Sequence, residues 1–333
     1  MKTWMVERWV CNKWEVGAKD SNKKIKVTPL FQVKAWLIRR VHEIRARDAI
    51  ATLLLDAKKH SLKSLPKKYK NKSSGLYEID MPDIHLGRQT WEEESGENSD
   101  LKIMVGLVKV AMTDLLSRIE NTSVSRILFP IGNDFFNVND KREETIHGTR
   151  QQEDQRWQKT FREGRKLLVT LVDMCVEVAP VDVLVIPGNH DEERIFYMGD
   201  ALDCWYHNNK NVSIDNRAVK RKYYQFEKNL IGFTHGYYEK PEKLAYLMPS
   251  EVPALWAKTI NREWHLGDKH QKKDTVYYKT TDGNGIMVRI LRSLAAPDAW
   301  TFDKGFISSP RAAEAFMWHP ENGVSGQFTH VVK

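Results

Sequence analysis

The chain has 333 residues, of which 41% are hydrophobic and 29% charged, and it carries a formal net charge of +8. This length can bury a sizeable core in one large domain or two. No apolar run approaches the roughly 18 residues of a membrane span, and the N-terminus lacks the apolar stretch of a signal peptide. Three cysteines, Cys11, Cys175 and Cys204, are too few and too scattered for a disulfide framework or a cysteine zinc site. We therefore expect buried thiols and a cytoplasmic protein.

Positive charge is concentrated at the N-terminus. Residues 1–75 hold 19 Lys and Arg against 6 Asp and Glu, a net charge of +13, whereas the remainder carries −5. Thr28-Pro29 is typical of a helix N-cap followed by a first-turn proline, and it predicts a helix to about Val41. A second helical pattern spans Arg45 to Lys59, and the lysine-rich segment 61–74 predicts a linker. We expect residues 1–75 to form a separate, mainly helical unit that binds nucleic acid or docks a partner.

From residue 76 to 333 the pattern predicts a second domain, in which strand and helix signals alternate. This alternation, followed by shorter strands, indicates an α/β sandwich that ends in antiparallel strands. The predicted strands are Leu76–Met81, Arg126–Ile131, Val181–Ile186, Tyr223–Phe226, Leu230–Thr234 and Arg262–Leu266. The predicted helices are Leu101–Ile119, Asp154–Val178, a segment ending near Tyr206, and Met248–Ile260.

Residue types that suit metal ions follow five of these strands. Ligands gather at the carboxyl ends of strands in open α/β sheets. Oxygen and imidazole ligands from several strand ends can hold two divalent ions about 3.5–4 Å apart, which clamp a phosphate and activate water. Each cluster alone is also ordinary turn chemistry, but their joint placement predicts a two-metal site. The clusters are Asp83-x-His85, Gly132-Asn133-Asp134, Gly188-Asn189-His190-Asp191, His235 and Gly267-Asp268-Lys269-His270.

This series of motifs resembles the calcineurin-like metallophosphoesterase superfamily over roughly residues 76–270. The segment Glu78–Gly87 is most similar to phage- and prophage-encoded members. The resemblance implies two mixed sheets flanked by helices, and hydrolysis of phosphoesters by a metal-bridging hydroxide. Position by position, it implies that Asp83, His85 and His270 bind the first metal, that Asn189, His235 and Asp268 bind the second, and that Asp134 bridges the two. His190 matches the family's catalytic histidine, which is not a ligand and stabilises the transition state.

Three residues depart from the family pattern. Asn133 is inserted between Gly132 and Asp134, and Asn137 stands where members often have an Asp or His paired with the catalytic histidine. Asp268 replaces a histidine and brings the formal ligand charge to −3 against +4 from two divalent ions. Hard oxygen donors favour manganese or magnesium over zinc or iron, so we expect manganese-dependent activity. A second reading of Asp268 is a weak or empty second site.

Residues beyond these motifs have open interpretations. Tyr237, Tyr238 and Lys240 follow His235, and they either contact a base or phosphate or simply pack in a loop. Residues 145–154 precede a cationic helix face, which is either a solvated surface or a lid over the metals. His265 is expected to be a packing or surface residue on the face away from Asp268. His330 has only a small chance of approaching the site.

The substrate is indicated mainly by the basic N-terminal unit. Its lysines and arginines are interleaved with Trp4, Trp9, Trp14 and Trp36, a composition that suits a polyanion with stackable bases. The sequence therefore favours a DNA nuclease or phosphodiesterase, in the host cytoplasm if phage-encoded. One alternative is hydrolysis of small or cyclic nucleotides. Another is a nucleic-acid-binding protein with a weakened metal site.

Overall fold

The computed structural model describes residues 4–19, 21–39, 75–154, 156–270, 272–277, 285–303 and 309–332. The chain divides into two compact units, residues 1–63 and 64–333. In the first unit, the described residues form an antiparallel hairpin of β1 (Trp4–Lys19) and β2 (Ile25–Arg39). Lys23, in the connecting turn, has a left-handed backbone with φ of 61°.

The expected mainly helical N-terminal unit is wrong over residues 28–39, because these residues are in β2. Pro29 pairs with Glu15 in a sheet of only two strands, so both strands are edges. An edge strand tolerates a proline because the missing N–H can face away from the partner. The β-branched and aromatic residues around Pro29 favour an extended chain. The predicted helix Arg45–Lys59 and the predicted linker 61–74 lie outside the described residues.

The hairpin presents large side chains on both of its faces. Every hairpin residue with a described side chain is exposed, including Trp9, Trp14 and Phe31. The Arg8 guanidinium lies 4.0 Å from the centroid of the Trp36 ring. Aromatic and cationic groups therefore alternate on an accessible β-ribbon.

The second unit contains two mixed sheets, as expected. The first has the strand order β13-β12-β3-β4-β5-β6, with β3 to β6 parallel and β12 antiparallel to both neighbours. Its strands are β3 (Gly75–Asp80), β4 (Val124–Gly132), β5 (Val181–Ile186), β6 (Val212–Asp215), β12 (Ala312–His319) and β13 (Gly323–Val331).

The second sheet has the order β10-β11-β9-β8-β7, with β8, β9 and β11 parallel and both edge strands antiparallel. Its strands are β7 (Lys222–Phe226), β8 (Asn229–Phe233), β9 (Asn261–Leu266), β10 (Lys273–Tyr277) and β11 (Ile286–Ile290). The predicted 223–234 hairpin is confirmed as the β7–β8 pair.

Helices connect the strands of both sheets. They are α1 (Glu92–Ser95), α2 (Leu101–Ser117), α3 (Trp157–Val176), α4 (Glu192–Tyr206), α5 (Pro241–Glu251), α6 (Pro253–Trp256) and α7 (Ala299–Asp303). The predicted helix Met248–Ile260 is wrong in its bounds, because α5 begins at Pro241 and the helical conformation is interrupted at Val252. Val252 precedes Pro253, and a residue before proline is forced out of helical geometry. None of the helices among the described residues is long and apolar enough to cross a membrane.

Alternating side chains on the strands create three apolar layers. In β4, Ile127 and Phe129 pack with the helices α2, α3 and α4, whereas Leu128 joins a cluster with Ile231 and Phe233 of β8. A third cluster joins β8, β9 and β11 to α5. The two sheets therefore face each other with helices outside. This arrangement leaves the carboxyl ends of β3, β4, β5, β8 and β9 free to converge.

The cysteine prediction holds for one residue of three. Cys175 on α3 is buried in the helix-side core, and burial raises the pKa of its thiol. Cys11 on the hairpin and Cys204 on α4 are exposed, so the expectation of buried thiols is wrong for them.

Candidate metal centre

Side chains that follow strands of both sheets meet in one compact cluster. Asp83 and His85 follow β3, Asp134 follows β4, His235 follows β8 and His270 follows β9. Ligand atoms of Asp83, His85 and His270 lie within 4.8 Å of one another, and so do those of Asp83, Asp134 and His235. Asp83 belongs to both groups, so the two groups adjoin.

Interatomic distances define two halves of this cluster. In the first half, His270 Nε2 lies 3.3 Å from His85 Nε2 and 3.6 Å from Asp83 Oδ1. In the second half, His235 Nε2 lies 2.9 Å from Asn189 Oδ1 and 3.1 Å from Asp134 Oδ2. The structure thus brings together Asp83, His85, Asp134, Asn189, His235 and His270, six of the seven predicted ligands.

Asp268, the seventh predicted ligand, lies at the margin of the second half. Its Oδ1 is 3.8 Å from His235 Nε2, and its backbone N–H donates to Asp83 Oδ1 at 3.1 Å. Its other oxygen, Oδ2, lies 2.5 Å from the Lys269 ammonium. A carboxylate shared with a lysine has one oxygen left for a cation.

The backbone at the cluster is held in an uncommon conformation. Nine non-glycine residues of the described chain have positive φ, and six of them lie in the strand-end motifs, with φ between 48° and 66°. A left-handed backbone is uncommon for such residues and concentrates at functional sites. The six residues are Asp83, His85, Asn133, Asp134, Asp268 and His270.

Glycines in the motifs permit neighbouring turns to touch. A Cβ on Gly188 would lie 1.9 Å from Asp134 Oδ1, and a Cβ on Gly267 would lie 2.7 Å from Asp83 Oδ2. Gly132 has φ of 90°, and its Cβ would lie 2.1 Å from the carbonyl oxygen of Ile186. A side chain is therefore excluded at Gly188 and Gly267 by carboxylates, and at Gly132 by the backbone of Ile186.

The pKa values of Asp83 and His235 are both raised, for different reasons. Burial raises the pKa of Asp83 to about 8, and the nearby charges of Asp134 and Asp268 add to this effect. Burial alone would lower the pKa of His235, but Asp134, Asp83 and Asp268 together raise it to about 10. The carboxylates around His235 therefore favour a positive charge at this place in the second half.

The first half keeps its histidines neutral. Burial, followed by the positive charge of Arg88, lowers the pKa of His85 well below its usual range and that of His270 to about 3. Neutral imidazoles can offer a lone pair to a cation.

His190 lies against both halves. Its backbone N–H donates to Asp134 Oδ1 at 2.8 Å, and its Nδ1 lies 2.9 Å from the backbone carbonyl oxygen of Asn137. A carbonyl oxygen only accepts, so Nδ1 carries the hydrogen and Nε2 holds the lone pair. Burial lowers the pKa of His190.

Asn137 contacts His190 differently from the sequence expectation. The family pattern has a side chain at this position paired with the catalytic histidine, but here the backbone carbonyl of Asn137 makes that contact. The amide oxygen instead accepts from Arg88 Nε at 3.2 Å, and the amide nitrogen donates to the Gln152 carbonyl at 2.9 Å.

Sequence reasoning missed three residues that support the cluster. Asn133 accepts from His235 Nδ1 at 3.0 Å, and its carbonyl accepts from the Asp83 backbone at 2.7 Å. Asp191 accepts from the backbone N–H groups of Gly188 and Phe136, and burial raises its pKa to about 7. Both lie inside the quoted motifs, where Asn133 directly precedes Asp134 and Asp191 directly follows His190.

Arg88 is the third missed residue. Its side chain is 8% exposed, and its Nη1 lies 3.8 Å from Asp298 Oδ2. Its backbone N–H donates to the His85 carbonyl, which fixes it to the Asp83-x-His85 turn. Its position three residues after His85 was a signal that a cation stands beside the ligands.

The aromatic residues after His235, Tyr237 and Tyr238, contact the loop 145–154 and the start of α4. The Tyr237 ring lies 5.4 Å from the His147 ring, and the Tyr238 hydroxyl donates to Glu192. The backbone N–H of Ile146 donates to the Asn189 carbonyl, so the polar loop 145–154 rests on the Asn189 turn. Lys240 is exposed at the start of α5.

Two other histidines have structural contacts. His265 is fully buried and contacts Glu78 and Asp80 of β3, so the packing interpretation is correct and the surface one is wrong. His330 contacts Asp114 on α2 at 2.9 Å.

Comparisons with known proteins add little to this geometry. No protein-family model matches the chain, and no curated protein matches it. Among solved structures, it is similar to Chaetomium thermophilum Vps29, with 8% identity and a TM-score of 0.33 over 77% of this chain and 95% of that one. A second structure, Vps29 of the same organism complexed with the RaPID-derived cyclic peptide RT-D3, gives 11% identity and a TM-score of 0.31 over 78% and 96%. Similarities this weak leave the function to be argued from the side chains.

Proposed function

We propose that the protein is a metal-dependent phosphoesterase that hydrolyses phosphodiester bonds, with DNA as its favoured substrate. The observation that carries the proposal is the cluster of Asp83, Asp134, His85, His235 and His270 at the meeting edge of two sheets. Its two-part layout supports the calcineurin-like resemblance of the sequence. The likeness to phage-encoded members rests on residues 78–87 and, less specifically, on residues 31–37.

The side chains fit a pair of divalent ions. Asp83 Oδ2 and His85 Nδ1 are buried atoms without a hydrogen-bond partner among the described residues. Buried polar atoms normally have partners, so an orphaned carboxylate oxygen in this place suits a cation. His235 donates through Nδ1 to Asn133 and directs Nε2 at Asp134 and Asn189. A histidine that binds a metal through one ring nitrogen usually donates a hydrogen bond from the other.

The family resemblance of the motifs assigns the ligands to two sets. Asp83, His85 and His270 would hold one ion, Asn189 and His235 with Asp268 the other, and Asp134 both. Two such ions would act as Lewis acids that stabilise the charge of a phosphate. They would also lower the pKa of a bound water towards neutral pH. With three carboxylates, the donor set favours manganese.

The chain's own residues orient and protonate the substrate. The Asn137 carbonyl fixes the His190 ring so that Nε2 is the atom able to exchange a proton with a bound ester. Because burial lowers the pKa of His190, its protonated form is expected to depend on the negative charge of a bound phosphate.

The preference for DNA rests on the hairpin. Its lysines and arginines can neutralise phosphates, and its exposed tryptophans can stack on bases. Binding should weaken steeply with salt, with log–log slope of about −0.9 for each phosphate neutralised in duplex DNA. Replacing Lys13 and Lys34 by Gln should reduce that slope by about 2. If the slope is the same in wild type and this variant, the hairpin is not part of the DNA interface.

Manganese-supplemented hydrolysis of a substrate panel tests the reaction. The panel contains bis-p-nitrophenyl phosphate, p-nitrophenyl phosphate, cyclic nucleotides, and single- and double-stranded DNA. We expect turnover of diesters and DNA. Preference for cyclic or small nucleotides would select that alternative, whereas tight DNA binding with metal content near zero would select the nucleic-acid-binding alternative. Full activity with zinc or iron and none with manganese would refute the charge argument.

A further inference from the structure

The Arg88 side chain carries a fork of hydrogen-bond donors and is anchored beside the turn that holds His85. It is nine-tenths buried, and Nε is bound to the Asn137 amide. Within the described residues, the terminal nitrogens have only the Asp298 carboxylate nearby, at 3.8 Å from Nη1. That separation exceeds a hydrogen bond, so the two terminal nitrogens retain free donors.

Arg88 is tied to the reacting groups from two sides. Its backbone N–H donates to the His85 carbonyl, and Asn137 bridges it to His190 by using the amide for Arg88 and the carbonyl for His190. Both contacts are within 3.2 Å. A buried cation beside neutral imidazoles costs free energy unless an anion compensates it. Asp298, Asp134 and Asp83 compensate it in part, Asp298 at 3.8 Å.

We infer that Arg88 forms an anion subsite that binds the non-bridging oxygens of the substrate's phosphate. This inference rests on the proposed function, because the phosphate must reach the metal cluster. The planar guanidinium matches two phosphate oxygens, whereas the carboxylate of Asp298 holds the fork in place until the anion arrives. The same contacts explain why an amide is suited to position 137, since its oxygen accepts from the guanidinium and its nitrogen anchors to Gln152.

Titration calorimetry with inorganic phosphate tests the subsite on the full chain loaded with manganese. Arg88→Gln should weaken phosphate binding about 10- to 100-fold, as expected for lost charge-assisted hydrogen bonds. The KM for bis-p-nitrophenyl phosphate should rise by a similar factor, with manganese content unchanged. Arg118→Gln is the matched control, because it removes an exposed arginine on the end of α2. Phosphate affinity of Arg88→Gln within twofold of this control would overturn the subsite.

Asp298→Asn provides a gain-of-binding test that misfolding cannot imitate. Asparagine keeps the contact of residue 298 with the Thr301 backbone but removes the charge that competes for Arg88. We expect phosphate to bind severalfold more tightly, and unchanged or weaker binding would contradict the subsite. A wild-type protein that binds phosphate through Arg88 and hydrolyses no ester would refute the proposed function while leaving the subsite in place.

Discussion

Two clusters of histidine and carboxylates lie on the same pair of strands and differ in their hydrogen bonding. In the strand-body cluster, His265 Nδ1 contacts Glu78 Oε1 at 2.6 Å and Asp80 Oδ2 at 3.3 Å, and its Nε2 contacts Glu263. Trp318 donates to the remaining oxygen of Glu78. In the strand-end cluster, a few residues further along β3 and β9, Asp83 Oδ2 is buried without a partner.

The difference shows that residue type alone does not make a metal site. Glu78, Asp80 and His265 also lie close enough for a cation, but protons and Arg289 balance their charge. Burial and the charge of Glu78 raise the pKa of Asp80 well above its usual range, so it is neutral. The strand-body cluster therefore joins the two sheets, whereas the strand-end cluster has charge and lone pairs left for ions. Four variants sharpen or break this comparison.

Asp134→Asn should have the largest effect. It removes a charge from both halves of the strand-end cluster, so we expect hydrolysis to fall by about 10³-fold or more, since metal catalysis supplies several kcal/mol. Manganese content, measured by elemental analysis, should fall as well. Asp114→Asn, on α2, is the control and should leave both unchanged. Normal metal content with normal turnover would show that Asp134 is structural.

His190→Ala should separate catalysis from metal binding. Loss of a positioned proton donor should lower turnover about 10²- to 10⁴-fold. A ligand atom of His190 also lies within 4.8 Å of ligand atoms of His85 and Asp134, so metal content is the deciding measurement. A residue that acts only as a proton donor should leave it at the wild-type value. His319→Ala, at an exposed position, is the control. Joint loss of metal and turnover would make His190 a ligand or structural residue.

His265→Leu should act on stability. Removing the imidazole leaves Glu78 and Glu263 without their shared partner, which should lower the free energy of unfolding by about 3–5 kcal/mol. Urea denaturation measures the change, with the exposed His207→Leu as control. Manganese content of the folded protein should persist. Loss of manganese with unchanged stability would indicate that the strand-body cluster is itself a metal site.

Asp80→Asn should have the smallest effect, and its sign depends on pH. The folded pKa of Asp80 is raised, so the folded wild type keeps a proton that the unfolded chain loses above about pH 3.9. Wild-type stability therefore falls as pH rises, by about 1.4 kcal/mol per pH unit from this one group until the folded form ionises. The asparagine variant has no such proton, so its free energy of unfolding relative to wild type should rise between pH 4 and 6 in urea denaturation. A constant difference across that range would show that Asp80 is ionised in the fold.

Much of the second unit was predictable because its signals are local. Apolar runs of four to eight residues with terminal Gly, Asn and Asp predicted β3, β4, β5, β8 and β9, and the strand-end motifs predicted the cluster. The N-terminal hairpin was not predictable in the same way. Thr28-Pro29 satisfies the chemistry of a helix start, and only pairing with β1 in a two-stranded sheet makes it extended.

By itself, the sequence determined which side chains end the strands and hence which atoms are available as ligands, because that information is carried by neighbours along the chain. Only the tertiary structure decided what those atoms contact. His265 is satisfied by residues of β3 and β9, and Arg88 is positioned by Asn137 and Asp298. Partners distant in sequence decide whether a buried polar group has its hydrogen bonds and its charge satisfied. This difference separates the structural cluster from the candidate metal centre.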